Sequence, residues 1–272
     1  MSGRVPHDTW GRMQGWELVL PPSRPDNLDL RRIARLLGPV DRSAPVGVLG
    51  STPEFRDLLC ELGFTRIHVL DRSTDFFESM SQQRIHKNQE DFVVGDWLAT
   101  LPMLTDTFAA LLSDLTSGNI PYGERRRFYL LVAAALRHGG LFIDKNLTNA
   151  NGLLPIGAIK RKYRDAPPNL QIANYFSCEA IFCSELLLEQ GVLDTSYVYG
   201  RLTELLEGAR FARLISAAQL ITPRQCFWYY GRPWEQLAED YCPTMSLHRK
   251  YVLARSQPYW RRAYQYVWIR EA

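Results

Sequence analysis

Short continuous apolar runs alternate with helically spaced apolar positions from residue 45 to residue 145. A continuous run is typical of a strand covered on both faces, whereas apolar positions that recur every three or four residues indicate a helix. The pattern predicts strands at residues 46–49, 67–70, 92–94, 108–112 and 141–143, and helices at residues 54–62, 75–84 and 124–137. Alternating strands and helices favour a parallel sheet with right-handed crossovers.

The remaining segments predict additions to this sheet. Residues 1–44 are polar and Pro-rich and end in a helical pattern, which we interpret as a lid and a helix. Residues 146–230 carry helical patterns at 180–190 and 202–206 and predict a helical insertion that caps the sheet. Residues 231–272 predict a final helix at 233–241 and a hairpin of strands at 246–253 and 264–269.

Together these elements predict one α/β domain over residues 1–272, with a core at residues 45–145. The expected fold is Rossmann-like and doubly wound, with a mostly parallel seven-stranded sheet and an antiparallel C-terminal strand. The helical insertion is expected to cap this sheet.

Composition narrows the function classes. The hydrophobic fraction of 46% is that of a packed globular protein, and a formal net charge of +3 gives no general attraction for polyanions. There is no apolar run of roughly 20 residues and no apolar segment of the secretory type near the start, so we expect a cytoplasmic protein without a membrane span. The five cysteines form no CxxC pair, and we predict neither disulfides nor a metal site.

Polar residues follow the predicted strands at their carboxyl ends. Gly50, Ser51 and Thr52 follow the first strand and lead into a helix that Thr52 can cap. The free N–H groups of such a helix start suit a carboxylate or a phosphate, although many helix starts bind nothing. Asp71 ends the second strand, where it can accept hydrogen bonds from ribose hydroxyls or cap the next helix through Ser73.

The third and fourth predicted strands end in the same way. Asp96 and Trp97 follow the third strand, and an aspartate beside an aromatic ring suits an adenine base. Asp114 follows the fourth strand. Open α/β sheets bind ligands at the carboxyl ends of their strands, so the four positions together predict a ligand site there.

The runs PVGVLGSTPEFRDLL, HVLDRS, FVVGDW, LLSDLTSGNIPY and HGGLFI resemble the successive motifs of class I S-adenosylmethionine-dependent methyltransferases. More narrowly, they are similar to a small-molecule group whose glycine loop reads Leu-Gly-x-Thr-Pro-Glu, and PPSRPDNLDL matches the lead-in of that group. The resemblance covers about residues 16–145. The chain has one glycine where Gly-x-Gly-x-Gly is common, and the first strand does not end on an acidic residue.

The resemblance implies S-adenosylmethionine as the cofactor. Its methionine part would contact Gly50, Ser51 and Thr52, and its ribose would contact Asp71 with Arg72 and Ser73 beside it. Its adenine would lie against Asp96 and Trp97. Asp114 and Leu115 would lie beside the sulfonium and the methionine end.

The acceptor implied by the resemblance is a small molecule, with specialised metabolism as one setting. Methyl transfer needs a general base only when the acceptor arrives protonated, and the candidates for a catalytic side chain are Asp114 and His7. The candidates for acceptor contacts are Trp10, Arg24, Asn119 and Tyr175, each of which has an ordinary structural role as its alternative. A homodimer is left open.

Three alternatives share parts of this pattern. A nicotinamide-dependent oxidoreductase would use the Asp71 position but needs Gly-x-Gly-x-x-Gly, which Ser51, Thr52 and Phe55 interrupt. An inactive methyltransferase fold that serves as a binding subunit would not need filled cofactor positions. A nucleic-acid methyltransferase would use the C-terminal basic residues, but Ser113-Asp114-Leu115-Thr116 lacks the Asn/Asp-Pro-Pro-Tyr/Phe pattern of enzymes that methylate base amino groups.

Overall fold

A seven-stranded sheet forms the centre of the protein. The computed structural model describes residues 16–19, 21, 23–87, 89–147, 153–180, 182–186, 192–221, 227–229, 241, 243–252 and 263–271. The strands of the main sheet are β1 (Val46–Leu49), β2 (Ile67–Asp71), β3 (Asp91–Val94), β4 (Phe108–Asp114), β5 (Leu136–Leu147), β8 (Met245–Val252) and β9 (Ala263–Arg270). Two short strands, β6 (Val192–Asp194) and β7 (Phe227–Tyr229), form a separate pair.

The strand order is β3-β2-β1-β4-β5-β9-β8. The pairs from β3 to β5 are parallel, whereas β9 lies antiparallel between β5 and β8. This order departs from the all-parallel dinucleotide fold, in which a sixth parallel strand follows the fifth. The predicted mostly parallel seven-stranded sheet with an antiparallel C-terminal strand is therefore confirmed.

Helices flank the sheet and form the insertion. The α-helices are α1 (Asn27–Leu37), α2 (Pro53–Glu61), α3 (Thr74–Gln82), α4 (Trp97–Thr100), α5 (Tyr122–Ala135), α6 (Ile156–Tyr163), α7 (Leu170–Ala180), α8 (Thr195–Leu205) and α9 (Ala209–Ile221). Within the described residues, no helix combines the length and apolar character needed to cross a bilayer.

Two layers of apolar side chains cover the sheet. On one face, α1 and α2 contribute Ile33, Leu37 and Phe55 to a cluster with the side chains of β1. On the other face, α5 contributes Phe128 and Val132 to a second cluster. The alternation of fully apolar strands and amphipathic helices in the sequence already predicts this layered packing.

The helical insertion has a core of its own. Phe176, Tyr199 and Leu214 pack together there, and Trp16 and Met80 belong to the same cluster. The segment around Trp16 and helix α3 therefore anchor the insertion to the rest of the domain.

Two predicted elements differ from the structure, and a third lies almost entirely outside the described residues. Strand β5 begins at Leu136, five residues before the predicted start, because residues 137–140 form an irregular stretch beside β4 instead of ending the helix. The helix predicted at 180–190 is wrong over its described part, since α7 ends at Ala180 and only a short 3-10 turn, Ser184–Leu186, follows. The helix predicted at 233–241 lies outside the described residues except for Tyr241.

A buried ion network fixes the helix that follows β1. Arg56 on α2 pairs with Glu90 at 2.6 Å, and Arg84 pairs with the same carboxylate at 2.8 Å. Arg84 also pairs with Asp57 at 3.2 Å, and the guanidinium of Arg56 lies over the ring of Phe77. Both arginine side chains are almost completely buried, so Glu90 and Asp57 supply the charges that compensate two desolvated cations, and Glu90 contacts both of them.

We expect Glu90→Gln to destabilise the fold by about 3 kcal/mol, because it leaves buried guanidinium groups with reduced compensation. The matched control is Glu61→Gln, which removes the charge from an exposed pair with His86 and should cost less than about 1 kcal/mol. Urea unfolding of both variants measures the difference. Equal midpoints for the two variants would contradict a stabilising role for the network.

Candidate functional site

The carboxyl ends of the central strands meet at one edge of the sheet. Leu49 of β1 pairs in register with Leu70 of β2 and with Ser113 of β4, and Asp114 pairs with Lys145 of β5. The polar residues that follow these strands are therefore brought together, as the strand order requires.

The loop after β1 makes a sharp turn at Gly50. This glycine has a φ of +92°, and a Cβ built on it would meet no atom within 4 Å. The turn thus requires glycine for its conformation, and the space beside it is open. Thr52 occupies the cap position of α2 but its side chain makes no capping hydrogen bond, contrary to the expected cap. Pro53 lies in the first turn, where no backbone donor is lost.

Asp71 ends β2 as a buried carboxylate. Its Oδ2 accepts a hydrogen bond from the Ser51 hydroxyl at 2.7 Å, and its Oδ1 accepts one from the Ser73 N–H at 3.1 Å. Burial raises the pKa of Asp71, and the hydrogen bond from Ser51 opposes that rise. A carboxylate offers about four lone-pair positions, so Asp71 keeps capacity to accept a further hydrogen bond.

Asp96 and Trp97 begin α4 next to this position. The Asp96 carboxylate caps the helix by accepting from the Leu98 N–H at 2.9 Å, and it lies 3.8 Å from the Arg72 guanidinium. The Trp97 indole donates to the Leu70 carbonyl at 2.7 Å. That hydrogen bond fixes the ring against the end of β2, beside the place where Asp71 presents its carboxylate.

Lys145 lies at the centre of a second polar cluster. Its ammonium is 3.4 Å from Asp29 of α1 and 3.3 Å from Asp114 of β4, and it donates to the Arg24 carbonyl at 2.9 Å. The three charged side chains are at most 2% exposed. A single buried ammonium therefore serves two carboxylates.

Glu54 extends this cluster from the first turn of α2. Its Oε1 accepts from the Trp16 indole at 2.9 Å and pairs with the Arg24 guanidinium at 3.1 Å. Its Oε2 is buried, and so is Oδ1 of Asp114; neither oxygen receives a hydrogen bond within the described part of the chain. The Lys145 ammonium lies 3.3 Å from Asp114 Oδ1 and forms an ion pair with it.

The charges of this cluster do not balance within the described residues. Asp29, Glu54 and Asp114 are carboxylates, whereas Lys145 and Arg24 are the two cations that pair with them. Burial raises the pKa of Asp114 to about 7, with Lys145 opposing the rise and the other two carboxylates adding to it. A further cation beside Asp114 and Glu54 would complete the pairing.

Sequence reasoning did not single out Asp29, Glu54 or Lys145. Lys145 comes two residues after the strand predicted at 141–143, so the rule that selected Asp71 and Asp114 would have found it. Asp29 gave no such signal, because it lies inside a helical pattern, and Glu54 appeared only as part of the glycine loop.

The structure places the remaining described candidates less centrally. Leu115 adopts a left-handed conformation, with a φ of 60°, and begins the turn that carries Asn119, whose Oδ1 is buried without a hydrogen bond among the described residues. Arg24 lies in the cluster just described. Tyr175 belongs to α7, where it packs against the insertion core and accepts a hydrogen bond from Gln171. His7 and Trp10 lie outside the described residues.

A separate buried polar group lies on the α5 side of β5. Asp144 accepts hydrogen bonds from Tyr241 at 2.7 Å and from Asn146 at 2.9 Å. Burial raises the pKa of Asp144 to about 6. Tyr129 stacks on Tyr241, so this group ties α5 and the segment before β8 to the sheet. Across the described residues, no group of three or more His, Cys, Asp or Glu side chains is placed to hold a metal ion.

No protein-family model and no curated protein sequence matches the chain. Solved structures do match in fold. A protein from Rhodobacter sphaeroides, described as a candidate Zn-dependent alcohol dehydrogenase, has a TM-score of 0.58 at 15% identity, with 92% of each chain covered.

Two archaeal structures give similar agreement. The PH0226 protein of Pyrococcus horikoshii has a TM-score of 0.53 at 12% identity and covers 95% of this chain and 100% of its own. A protein of Methanosarcina mazei described as a SAM-dependent methyltransferase has a TM-score of 0.51 at 10% identity and covers 87% of this chain and 97% of its own. At these identities the likeness shows the fold alone, which is Rossmann-like.

Proposed function

We propose that the chain is an S-adenosylmethionine-dependent methyltransferase that acts on a small molecule. The observation that carries the proposal is the buried cluster beside Gly50, in which three carboxylates face two cations and two buried carboxylate oxygens lack hydrogen bonds. The methionine end of S-adenosylmethionine carries an ammonium, a sulfonium and a carboxylate, so it would bring a net positive charge to a cluster in which three carboxylates face two cations. The described residues fit this cofactor.

Each part of the cofactor has residues suited to it in the proposed site. Asp71 would hold the ribose with its remaining acceptor capacity, while Arg72 and Ser73 flank it. Asp96 and Trp97 would border the adenine. Gly50, Ser51 and Thr52 would line the methionine part, where the open space beside Gly50 permits close approach. Asp114 and Leu115 would lie at the methyl-bearing end.

When bound, the cofactor supplies an activated methyl group on a sulfonium. The residues of the chain then have to align the acceptor with that group and exclude water, which accounts for much of the rate of a displacement. The anchored position of Asp114 between Lys145 and Glu54 favours a role in holding the cofactor rather than in removing a proton. The helical insertion, residues 153–221 in its described part, would provide the acceptor pocket above this edge, with Asn119 and Tyr175 as candidates for contact.

The rival classes make different demands on the same edge. A nicotinamide-dependent oxidoreductase would place a pyrophosphate at the glycine loop, and the carboxylates of Glu54 and Asp114 would repel those charges. In an inactive binding subunit, buried carboxylate oxygens without hydrogen bonds would destabilise the fold and serve no ligand. A nucleic-acid methyltransferase would bind the same cofactor and would differ only in its acceptor.

Calorimetric titration with S-adenosylhomocysteine and with NADH separates the first two classes from the proposal. We expect S-adenosylhomocysteine to bind with micromolar affinity and NADH to give no heat of binding. Binding of NADH alone would identify the oxidoreductase class, and binding of neither compound would favour an inactive fold. A methyl-transfer assay with S-adenosylmethionine as the donor and small molecules or oligonucleotides as acceptors then decides the acceptor class.

Asp71→Asn should weaken the binding of S-adenosylhomocysteine by about 2 kcal/mol, or roughly thirtyfold, because charge-assisted hydrogen bonds to the ribose are lost. The control is Asp75→Asn, which changes an exposed aspartate in the first turn of α3 and should leave the affinity unchanged. Calorimetry gives both affinities, and thermal melting verifies that both variants fold. An unchanged affinity in Asp71→Asn would show that the ribose lies elsewhere.

The affinity for S-adenosylhomocysteine should rise with pH up to about 7. Below that pH the folded protein keeps the proton of Asp114, because burial raises the pKa of this carboxyl to about 7. An ammonium bound beside it favours the ionised form, so binding has to release the proton and is weaker at pH 6 than at pH 8. In Asp114→Asn the position cannot titrate.

The measurement is the dissociation constant at pH 6 and at pH 8 for the wild type and for Asp114→Asn. The ammonium of the ligand titrates equally in both experiments, so the difference between the proteins isolates residue 114. The control is Asp165→Asn, which alters a side chain that is 92% exposed and should keep the pH profile of the wild type. Parallel profiles for wild type and Asp114→Asn would place the ammonium away from Asp114.

A further inference from the structure

A groove lies at the opposite end of the sheet from the candidate site. Its volume is about 930 Å³, and it is bounded by α1, the loop before β1, the start of β5 and the strand β8. Ala109 and Leu141 place its floor at the amino ends of β4 and β5, whereas Asp114 and Lys145 lie at the carboxyl ends of the same strands. The groove is thus separate from the proposed cofactor site.

Arginine and histidine side chains reach this groove from three elements that are distant in sequence. They are Arg32 and Arg35 of α1, Arg137 and His138 of the irregular stretch in β5, and His248 and Arg249 of β8. Asp41 is the one carboxylate among the described lining residues. The arginines and Asp41 give the groove a formal charge of +3, equal to the net charge of the whole chain.

Two of the four arginines are held in place. Arg32 donates to the Val252 carbonyl at 2.9 Å and lies over the Tyr251 ring at 5.0 Å. Arg249 donates to the Tyr251 hydroxyl at 3.3 Å. The exposed side chains of Arg35 and Arg137 make no hydrogen bond or ion pair within the described part of the chain, so their guanidinium groups have all their donors available for a ligand.

The floor between these cations is apolar. Leu36, Val40, Leu141 and Ile269 contribute to it, and the volume lies within the range of small-molecule sites. One phosphate is commonly held by one or two guanidinium groups, so four arginines around the groove suit a ligand with two phosphates. An apolar floor in addition suits an uncharged organic body.

We propose that this groove binds a free organic diphosphate, independently of the cofactor site. A nucleic acid is less suited to it, because the backbone of a polymer requires a basic track that continues over the surface. Here the groove accounts for the entire net positive charge of the chain, and the remaining residues balance to zero.

Calorimetry with uridine diphosphate tests the proposal in the full chain. S-adenosylhomocysteine is kept at saturation so that a nucleoside cannot be taken up at the proposed cofactor site. We expect uridine diphosphate to bind. Inorganic pyrophosphate should bind several times more weakly, because it lacks the organic body. The substitutions Arg35→Glu and Arg137→Glu should each lower the affinity for uridine diphosphate at least tenfold. Both residues are exposed, and retained S-adenosylhomocysteine binding verifies that the variants fold.

The matched control is Arg31→Glu, which makes the same charge change at an exposed position of α1 outside the groove. We expect it to keep the wild-type affinity. Absence of uridine diphosphate binding, an equal loss in Arg31→Glu, or equal affinity for pyrophosphate would overturn the proposal. Tighter binding of an oligouridylate per phosphate, lost in the same two variants, would overturn it in favour of a nucleic-acid site.

Discussion

The shared pairing of Lys145 with Asp29 and Asp114 is the interaction on which the arrangement of the ligand edge depends. It joins α1, β4 and β5 through one buried ammonium, and the Arg24 carbonyl brings the segment before α1 to the same atom. Burying these charges is costly unless each has a partner. Two oxygens of the cluster, Oδ1 of Asp114 and Oε2 of Glu54, are buried without a hydrogen bond among the described residues, and this is the feature on which the proposed cofactor site rests.

The sheet was predictable because its signal is local and repeated. The apolar runs that become β1, β2 and β4 are bounded by polar residues, and burial of both faces leaves few other arrangements for them. Strand β3 lies at the edge of the sheet and is partly exposed. The hairpin of β8 and β9 followed from its alternation. The start of β5 was not predictable, since the helical pattern continues to residue 137 and the place of residues 137–140 beside β4 depends on contacts with a strand far away in the sequence.

In the candidate site, too, some residues are indicated by the local sequence and others are brought in only by packing. Gly50, Asp71 and Asp114 could be selected from the sequence because each follows a strand. Asp29 could not, because its contact with Lys145 is created by the packing of α1 against the sheet and leaves no mark on the helical pattern. The acceptor side is set by packing among α6 to α9, where aromatic residues have the same spacing whether they face a pocket or a core.

Helix α1 links the two ends of the molecule. Its first turn carries Asp29, which pairs with Lys145 at the proposed cofactor site, and its last turns carry Arg32 and Arg35, which line the basic groove. The helix is short and held by a capping box at Asp26, so it is positioned as one unit. The two ends of α1 therefore carry opposite charges. The carboxylate of Asp29 faces the proposed cofactor site at the carboxyl ends of the strands, whereas the guanidinium groups of Arg32 and Arg35 face the proposed anion site at their amino ends.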